Sequence, residues 1–286
     1  MKIIVFGHRG WIGKQIIKLL EDKNFTVINP DIRADNEVAV EELLDKEMPD
    51  RVLCCIGRTR GPGCNTIDYL EDENKSHDKL TLNMRDNMYA PITLALACRS
   101  RKIHYCYVGT GCIFTYDDNQ QKFSEGDDPN FFGSGYSVVK GFTDRLMRQL
   151  DVLQVRIRMP LVPLSDDSPF NFITKITKYE NICSVENSMT VLPTLLPLLV
   201  DMIEKGIIGT VNLTNPGTIS HDRILTLYRS MVDPTFTWTN FTEKEQDEIL
   251  LSKRSNNFLC TKRLESLYPD VLPIEDAVKL CLVKKT

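Results

Sequence analysis

The run Val5-Phe6-Gly7-His8-Arg9-Gly10-Trp11-Ile12-Gly13 decides the fold. An apolar, strand-like segment ends at Gly7, and a stretch of helical period begins at Ile12. Each glycine meets its own steric demand. The chain turns tightly out of the strand at Gly7, a pyrophosphate approaches the backbone near Gly10, and the helix packs closely on the sheet at Gly13. The N–H groups exposed at the helix start, together with its dipole, attract phosphate. Trp11 and Ile12 belong to the same cofactor loop. The glycines are spaced three and three, where the commoner dinucleotide fingerprint has two and three.

Outward from this loop, short apolar runs alternate with helical-period segments, the pattern of consecutive βαβ units around a parallel sheet. Strands are expected over 3–6, 25–28, 51–56, 104–108 and 153–159, and helices over 12–21, 38–46, 80–99 and 136–150. The fold class is therefore α/β, a Rossmann-type doubly wound parallel sheet. After Met159-Pro160 the rhythm breaks, with prolines at 160, 163, 169, 193, 197 and 216. We place a nucleotide-binding domain over 1–160 and a smaller substrate lobe over 161–286, with 205–230 returning to the first domain. In that return, 210–213 reads as a sixth strand and 220–231 as a helix capped by Ser220.

Asp31 and Arg33 follow the second strand and pull in opposite directions. A carboxylate favours free ribose hydroxyls, and a guanidinium favours a 2′-phosphate. Arg9 adds a second cation, so the reading leans to NADPH, with NADH as the alternative. Gly57 and Thr59 end the third strand, where such folds pass under the cofactor.

A net charge of -4 argues against a nucleic-acid partner, which demands a basic face. The nine cysteines include the adjacent pair Cys54-Cys55 and suit a reducing compartment, here the cytosol. The first strand follows Met1 directly, so no secretory segment is expected, and 191–202 is too short and too proline-rich to span a bilayer. His8, His77, His104 and His221 stand apart from one another and from any cysteine at zinc-ligand spacing, so no metal is expected.

Tyr136 and Lys140 stand four apart at a predicted helix start, so both face one side. A phenol with a reference pKa of about 10 is a poor acid-base group, and a nearby ammonium is expected to lower it. The spacing alone is cheap in a chain with nine tyrosines. Its placement carries more weight. Val108-Gly109-Thr110 ends the fourth strand at the carboxyl edge, where doubly wound sheets put their chemistry. Thr110 would hydrogen-bond a substrate oxygen there.

With these residues in hand, nearly the whole chain resembles the bifunctional nucleotide-4-keto-6-deoxyglucose 3,5-epimerase/4-reductases of L-rhamnose synthesis, extended short-chain dehydrogenases known in plants and large DNA viruses. The resemblance rests on Gly-Trp-Ile-Gly (10–13), Thr-Gly-Cys-Ile-Phe (110–114), Pro-Asn-Phe (129–131), Arg-Met-Pro (158–160), Asn-Phe-Ile-Thr-Lys-Ile-Thr (171–177), Thr-Asn-Pro-Gly (214–217) and Arg-Ser-Asn-Asn (254–257). The resemblance implies conversion of UDP-4-keto-6-deoxy-D-glucose to UDP-L-rhamnose. It implicates Cys112 and Lys175 in epimerisation, with acid and base unassigned, and Tyr136, Lys140 and Thr110 in reduction. Arg254 would meet the diphosphate, with Asn171, Phe172, Trp238 and Asn240 on the same side. The runs 58–64 and 116–128 depart from the common pattern. A separate 4,6-dehydratase would supply the keto sugar, and a homodimer is compatible with the family. Two other readings stay open: a 4-reductase without epimerase activity, and a non-catalytic regulatory subunit similar to that of methionine adenosyltransferase. UDP and dTDP are not separable as carriers.

Overall fold

Alternate residues of the first strand face opposite ways, and each set has its own apolar cluster. Ile3 and Val5 pack with Leu53, Val155, Val211 and the helical residues Ile16, Leu20 and Leu195. Ile4 and Phe6 pack with Val52, Tyr107, Val40, Leu94 and Met147. A strand buried on both faces, with helices on each side, is the signature of a doubly wound sheet. The computed structural model describes residues 1–71, 78–117 and 121–283.

The chain runs β1 (Lys2–Phe6), α1 (Trp11–Asp22), β2 (Thr26–Ile28), α2 (Glu37–Glu47), β3 (Arg51–Cys54), α3 (Asp78–Met84), α4 (Ala90–Ser100), β4 (His104–Thr110), β5 (Lys122–Phe123), α5 (Gly135–Met147) and β6 (Leu153–Ile157). It continues through α6 (Phe172–Ile176), β7 (Asn181–Cys183), α7 (Leu192–Glu204), β8 (Gly209–Asn212), α8 (His221–Met231), β9 (Thr239–Phe241), α9 (Glu243–Ile249), β10 (Phe258–Leu259), α10 (Lys262–Leu267) and α11 (Ile274–Leu282). The main sheet is parallel throughout, in the order β2-β1-β3-β4-β6-β8. The order reverses at β1, so a crevice opens between the carboxyl ends of β1 and β3.

The expected strands and long helices form, and Ser220 caps α8 by accepting from the Arg223 N–H at 3.1 Å. The helix expected over 80–99 is interrupted by a π turn at Arg85–Tyr89. Pro91 is the cause: it has no N–H for the Asn87 carbonyl, which instead accepts from Thr143 Oγ1 at 2.8 Å. The sequence reading also missed α7. Pro193 lies in its first turn, where no donor is needed, and leucines at 192, 195, 196 and 199 return this segment to the core beside α1. A third cluster, including Leu161, Ile173, Ile182, Ile224 and Val278, fills the second lobe. Two small parallel pairs, β5 with β10 and β7 with β9, join distant segments.

A Cβ added at Gly13 would lie 2.3 Å from the Gly7 carbonyl oxygen, a backbone atom with no room to yield. Gly13→Ala is therefore expected to destabilise the chain by about 1–3 kcal/mol, the usual range for overpacking. The midpoint of urea unfolding reads this directly, and an unchanged midpoint refutes the tight contact.

Candidate active site

Gly7 takes a positive φ of 82°, and a Cβ there would stand 2.8 Å from the Cys55 backbone, so the loop lies pressed against the end of β3. Gly10 caps α1 without a side-chain hydrogen bond. The first N–H groups of this 12-residue helix thus have no side-chain acceptor of their own. This cradle fits a dinucleotide pyrophosphate.

At its outer end the charged residues already pair. Arg9 hydrogen-bonds Asp31, and both are exposed. Arg33 meets Asp35 at 2.8 Å and Asp86 at 3.6 Å, while Arg58 and Arg85 also reach Asp86, at 2.6 and 3.0 Å. Three guanidiniums therefore gather around two carboxylates. Trp11 donates its indole N–H to Asp166 at 3.1 Å and lies 6.1 Å from the Phe170 ring. The Arg60 guanidinium sits 3.6 Å over that same ring. Ile12, in the first turn of α1, packs against the core.

At the carboxyl edge of β4, the Cys112 N–H donates to Thr110 Oγ1 at 3.1 Å, and Ser137 Oγ donates to the Cys112 carbonyl at 2.7 Å. Ser134 caps α5 and fixes Ser137. Tyr136 and Lys140 lie on this same helix start, 7 % and 4 % exposed. Thr110, Cys112 and Tyr136 thus meet at one corner, with Lys140 one turn further on.

Tyr136 is shifted opposite to the expectation, and Lys140 is not the cause. Burial, joined by the negative charge of Cys112, pushes the phenol above its ordinary value, and the hydrogen bond with Thr110 only partly offsets this. The Lys140 ammonium instead donates to the Tyr107 hydroxyl. Burial brings Lys140 down to about 8. A Cβ on Gly57 would lie 3.8 Å from Lys140 Nζ, so the end of β3 adjoins this amine. Thr59 is exposed nearby in the chain.

The second-lobe residues divide. Lys175 is held below its ordinary value by burial and by the charges of Arg60 and Arg254. Phe172, three residues earlier on α6, meets the His221 ring at a tilt of 58° with centroids 4.9 Å apart. Arg254 forks onto Asp68, with contacts of 2.5 and 3.3 Å. Asn171 is fully buried, caps α6 and spends its side chain on the backbone of Val162 and Asp166. Asn240 and Trp238 both donate to Asp222, at 2.8 and 3.0 Å. Asn171 and Asn240 thus hold the chain itself, whereas Lys175, Arg60 and Arg254 form a group of three cations.

Several neighbours had no sequence signal. Buried Asn87 accepts from the Arg58 N–H and donates to the Arg58 carbonyl, both at 2.8 Å, tying the loop after β3 to the π turn. Tyr107 read only as a strand residue, and Arg158 entered only through the Arg-Met-Pro run at 158–160. Among the described residues no three His, Cys, Asp or Glu side chains are placed to hold an ion, and no helix is long and apolar enough to cross a membrane. His77 lies outside the described residues.

The profile of the NAD dependent epimerase/dehydratase family matches residues 3–159, from β1 past the end of β6. The chain belongs to this family. It is 48% identical over 285 residues to protein L780 of Acanthamoeba polyphaga mimivirus, covering 98% of this chain and 96% of that one. The crystal structure of L780, described as a UDP-rhamnose synthase, superposes with a TM-score of 0.95 over 100% of this chain and 99% of that one, at 47% identity. A bifunctional dTDP-4-dehydrorhamnose 3,5-epimerase/dTDP-4-dehydrorhamnose reductase of Arabidopsis thaliana is 36% identical over 283 residues, covering 96% of this chain and 90% of that one. A trifunctional UDP-glucose 4,6-dehydratase/UDP-4-keto-6-deoxy-D-glucose 3,5-epimerase/UDP-4-keto-L-rhamnose-reductase of the same plant is 35% identical over 285 residues, which are 97% of this chain and 41% of the relative. The family's nicotinamide dinucleotide fits the glycine cradle described above.

Proposed function

We propose that the chain is a bifunctional 3,5-epimerase/4-reductase that converts UDP-4-keto-6-deoxy-D-glucose to UDP-L-rhamnose with NADPH. The observation that carries this reading is the corner at which Thr110, Cys112 and Tyr136 converge, because it puts a thiol and a phenol in one site. The relatives' names supply the sugar chemistry. The plant protein of 41% coverage carries a dehydratase activity as well, and in this reading a 4,6-dehydratase provides the keto sugar. Asp31 is engaged by Arg9, and Arg33, Arg58 and Arg85 outnumber Asp35 and Asp86, which favours a 2′-phosphate over bare ribose hydroxyls.

Held in the cradle of Gly7, Gly10 and Gly13, the nicotinamide cofactor would supply the hydride for C4. Tyr136 donates its proton to the alkoxide forming on the C4 oxygen, and its raised pKa keeps that proton in place at neutral pH. Thr110 orients the phenol. Before reduction, the C4 ketone acidifies the protons at C3 and C5, and Cys112 and Lys175 remove and return them. Lys175 stands beside Arg60 and Arg254, which also gives the diphosphate three cations to meet.

Incubation with the 4-keto sugar in heavy water is expected to place deuterium at both C3 and C5, read by NMR of the product. NADPH oxidation without deuterium at either carbon means a 4-reductase alone. No oxidation with any keto sugar means a binding subunit. A second expectation concerns pH. Lys140 is charged below about 8 and neutral above it, so kcat/KM for reduction should fall as pH rises through that value. A flat profile up to pH 10, roughly the ordinary lysine value, excludes a role for the ammonium.

A further inference from the structure

Tyr105 and Tyr107 stand two apart on β4, so their rings share one face of the sheet, yet their hydroxyls serve different partners. The Tyr105 hydroxyl donates to the Pro91 carbonyl of α4 at 2.9 Å. The Tyr107 hydroxyl instead accepts from the Lys140 ammonium, whose Nζ lies 4.7 Å from the ring centroid. Both residues are buried, Tyr107 at 1 % and Lys140 at 4 % exposure. A Cβ added at Gly109 would lie 3.4 Å from Tyr107 Cε1 and 3.2 Å from the Val155 carbonyl oxygen, so this glycine leaves the phenol its space.

A buried ammonium needs an acceptor, and the carboxylate and the amide beside Lys140 serve other partners. Cys54 on β3, Cys112 after β4 and Asp144 one turn along α5 face the amine. Asp144 is forked by Arg156, with both contacts at 2.8 Å, and meets Arg148 at 3.5 Å. Burial pushes the Cys54 thiol up, so it keeps its proton and stays neutral. Asn87 borders Gly57, as Lys140 does. Its Oδ1 accepts from the Arg58 N–H, and its Nδ2 donates to Asn83 Oδ1 and the Arg58 carbonyl, each at 2.8 Å. Tyr107 itself faces Cys54, Tyr136 and Asp144, and burial holds its phenol well above the ordinary value. It therefore meets the amine as a neutral hydroxyl, and among the described residues it is the acceptor that Lys140 uses. An ammonium has three N–H groups, so two remain for what binds in the site.

We propose that Tyr107 is a positioning residue for reduction, whose hydroxyl fixes the Lys140 amine one turn from Tyr136 and keeps it in the ammonium form. This rests on the reading of Lys140 as part of the reductive site. Burial disfavours the charge on the amine, and the hydroxyl dipole of Tyr107 opposes that effect. Tyr107→Phe keeps the ring and takes away only the oxygen, so the charged form alone loses a partner. The amine should then give up its proton at lower pH. A hydrogen bond to a charged group contributes enough to move a titration by about one unit or more.

The test is a pH titration, followed by NMR, of the full chain labelled with ¹³C at lysine Cε, the Lys140 signal being identified by its loss in Lys140→Met. In the parent it should titrate at about 8, and Tyr107→Phe should move it about one unit lower. The high-pH limb of kcat/KM for reduction should move with it, a loss of about fivefold at about pH 8 and little at about pH 6. A merely structural defect would lower the rate evenly at every pH and leave the titration in place. The proposal is overturned if Lys140 titrates at the same pH in both chains, or if its titration moves while the limb does not. Should Tyr107→Phe fail to fold, the parent still decides: a nuclear Overhauser contact between the Lys140 Cε protons and the Tyr107 ring is expected, and its absence overturns the pairing. A titration that moves in a chain whose NADPH oxidation no keto sugar stimulates instead refutes the reductase reading and leaves the Tyr107–Lys140 pairing intact.

Discussion

Tyr136→Phe is expected to lower NADPH-dependent reduction of the 4-keto sugar by about 10²–10⁴-fold, the usual contribution of a positioned proton donor, while deuterium still enters at C3 and C5. The substitution removes one oxygen and keeps the ring, so the packing of α5 against the sheet should change little. What is lost is the proton that meets the developing charge on the C4 oxygen. Thr110 cannot take over that task, because its hydroxyl already serves the Cys112 N–H and the Ile157 carbonyl. Exchange needs only the ketone and the groups that move protons at carbon, so it should survive. Cys112→Ser and Lys175→Met should show the opposite pattern, losing exchange by a similar factor. Single-turnover NADPH oxidation beside NMR of the sugar in heavy water separates the two activities. Equal loss of both in all three variants would sink the division of labour, and reduction within about tenfold of the parent would remove Tyr136 as the donor.

Local signals were legible. Gly7, Gly10 and Gly13 act through backbone sterics over seven residues, and the Ser220 cap acts within three. The alternation at 3–6 reports two buried faces because side-chain direction in a strand has period two. The interrupted helix at 85–89 was legible only in part: Pro91 stood in the sequence, but the hydrogen bond that Thr143 Oγ1 donates to the freed Asn87 carbonyl depends on α5 packing beside it. The partners of the site were not legible, since they are brought together by the fold across long spans of chain. Asp68 and Arg254 meet over 186 positions, and Arg158 meets the Ser255 carbonyl over 97. The Tyr136–Lys140 spacing placed both on one face correctly, but it could not reveal that Tyr107 would claim the ammonium. Asn171 illustrates the converse. Its motif pointed to substrate, whereas its hydrogen bonds close the turn over 162–166 and set the start of α6, from which Lys175 projects.

The second large effect is on stability. Arg156→Met is expected to cost about 3–5 kcal/mol, the range for breaking a buried ion pair from one side. Arg156 is fully buried and forks onto Asp144, Nε to Oδ2 and Nη2 to Oδ1, each at 2.8 Å. Its Nη1 also donates to the Ser124 carbonyl at 3.1 Å, so the fork joins β6 and α5 to the segment before Glu125. Removing the guanidinium strands a carboxylate that is 3 % exposed, with Gln154 and the more distant Arg148 left to it among the described residues. The double variant Arg156→Met/Asp144→Leu removes both charges and should recover part of the loss, because two matched apolar side chains carry no desolvation penalty. Urea unfolding of the three variants measures this, and a loss below about 1 kcal/mol for Arg156→Met would mean that the pair is worth no more than a surface bridge. Two residues along the chain, Arg158 is equally buried but donates to Asn187 Oδ1 and the Ser255 carbonyl, where Arg156 faces a carboxylate. Arg158→Met removes a cation whose acceptors carry no charge and strands no anion, so it should cost the fold less than Arg156→Met.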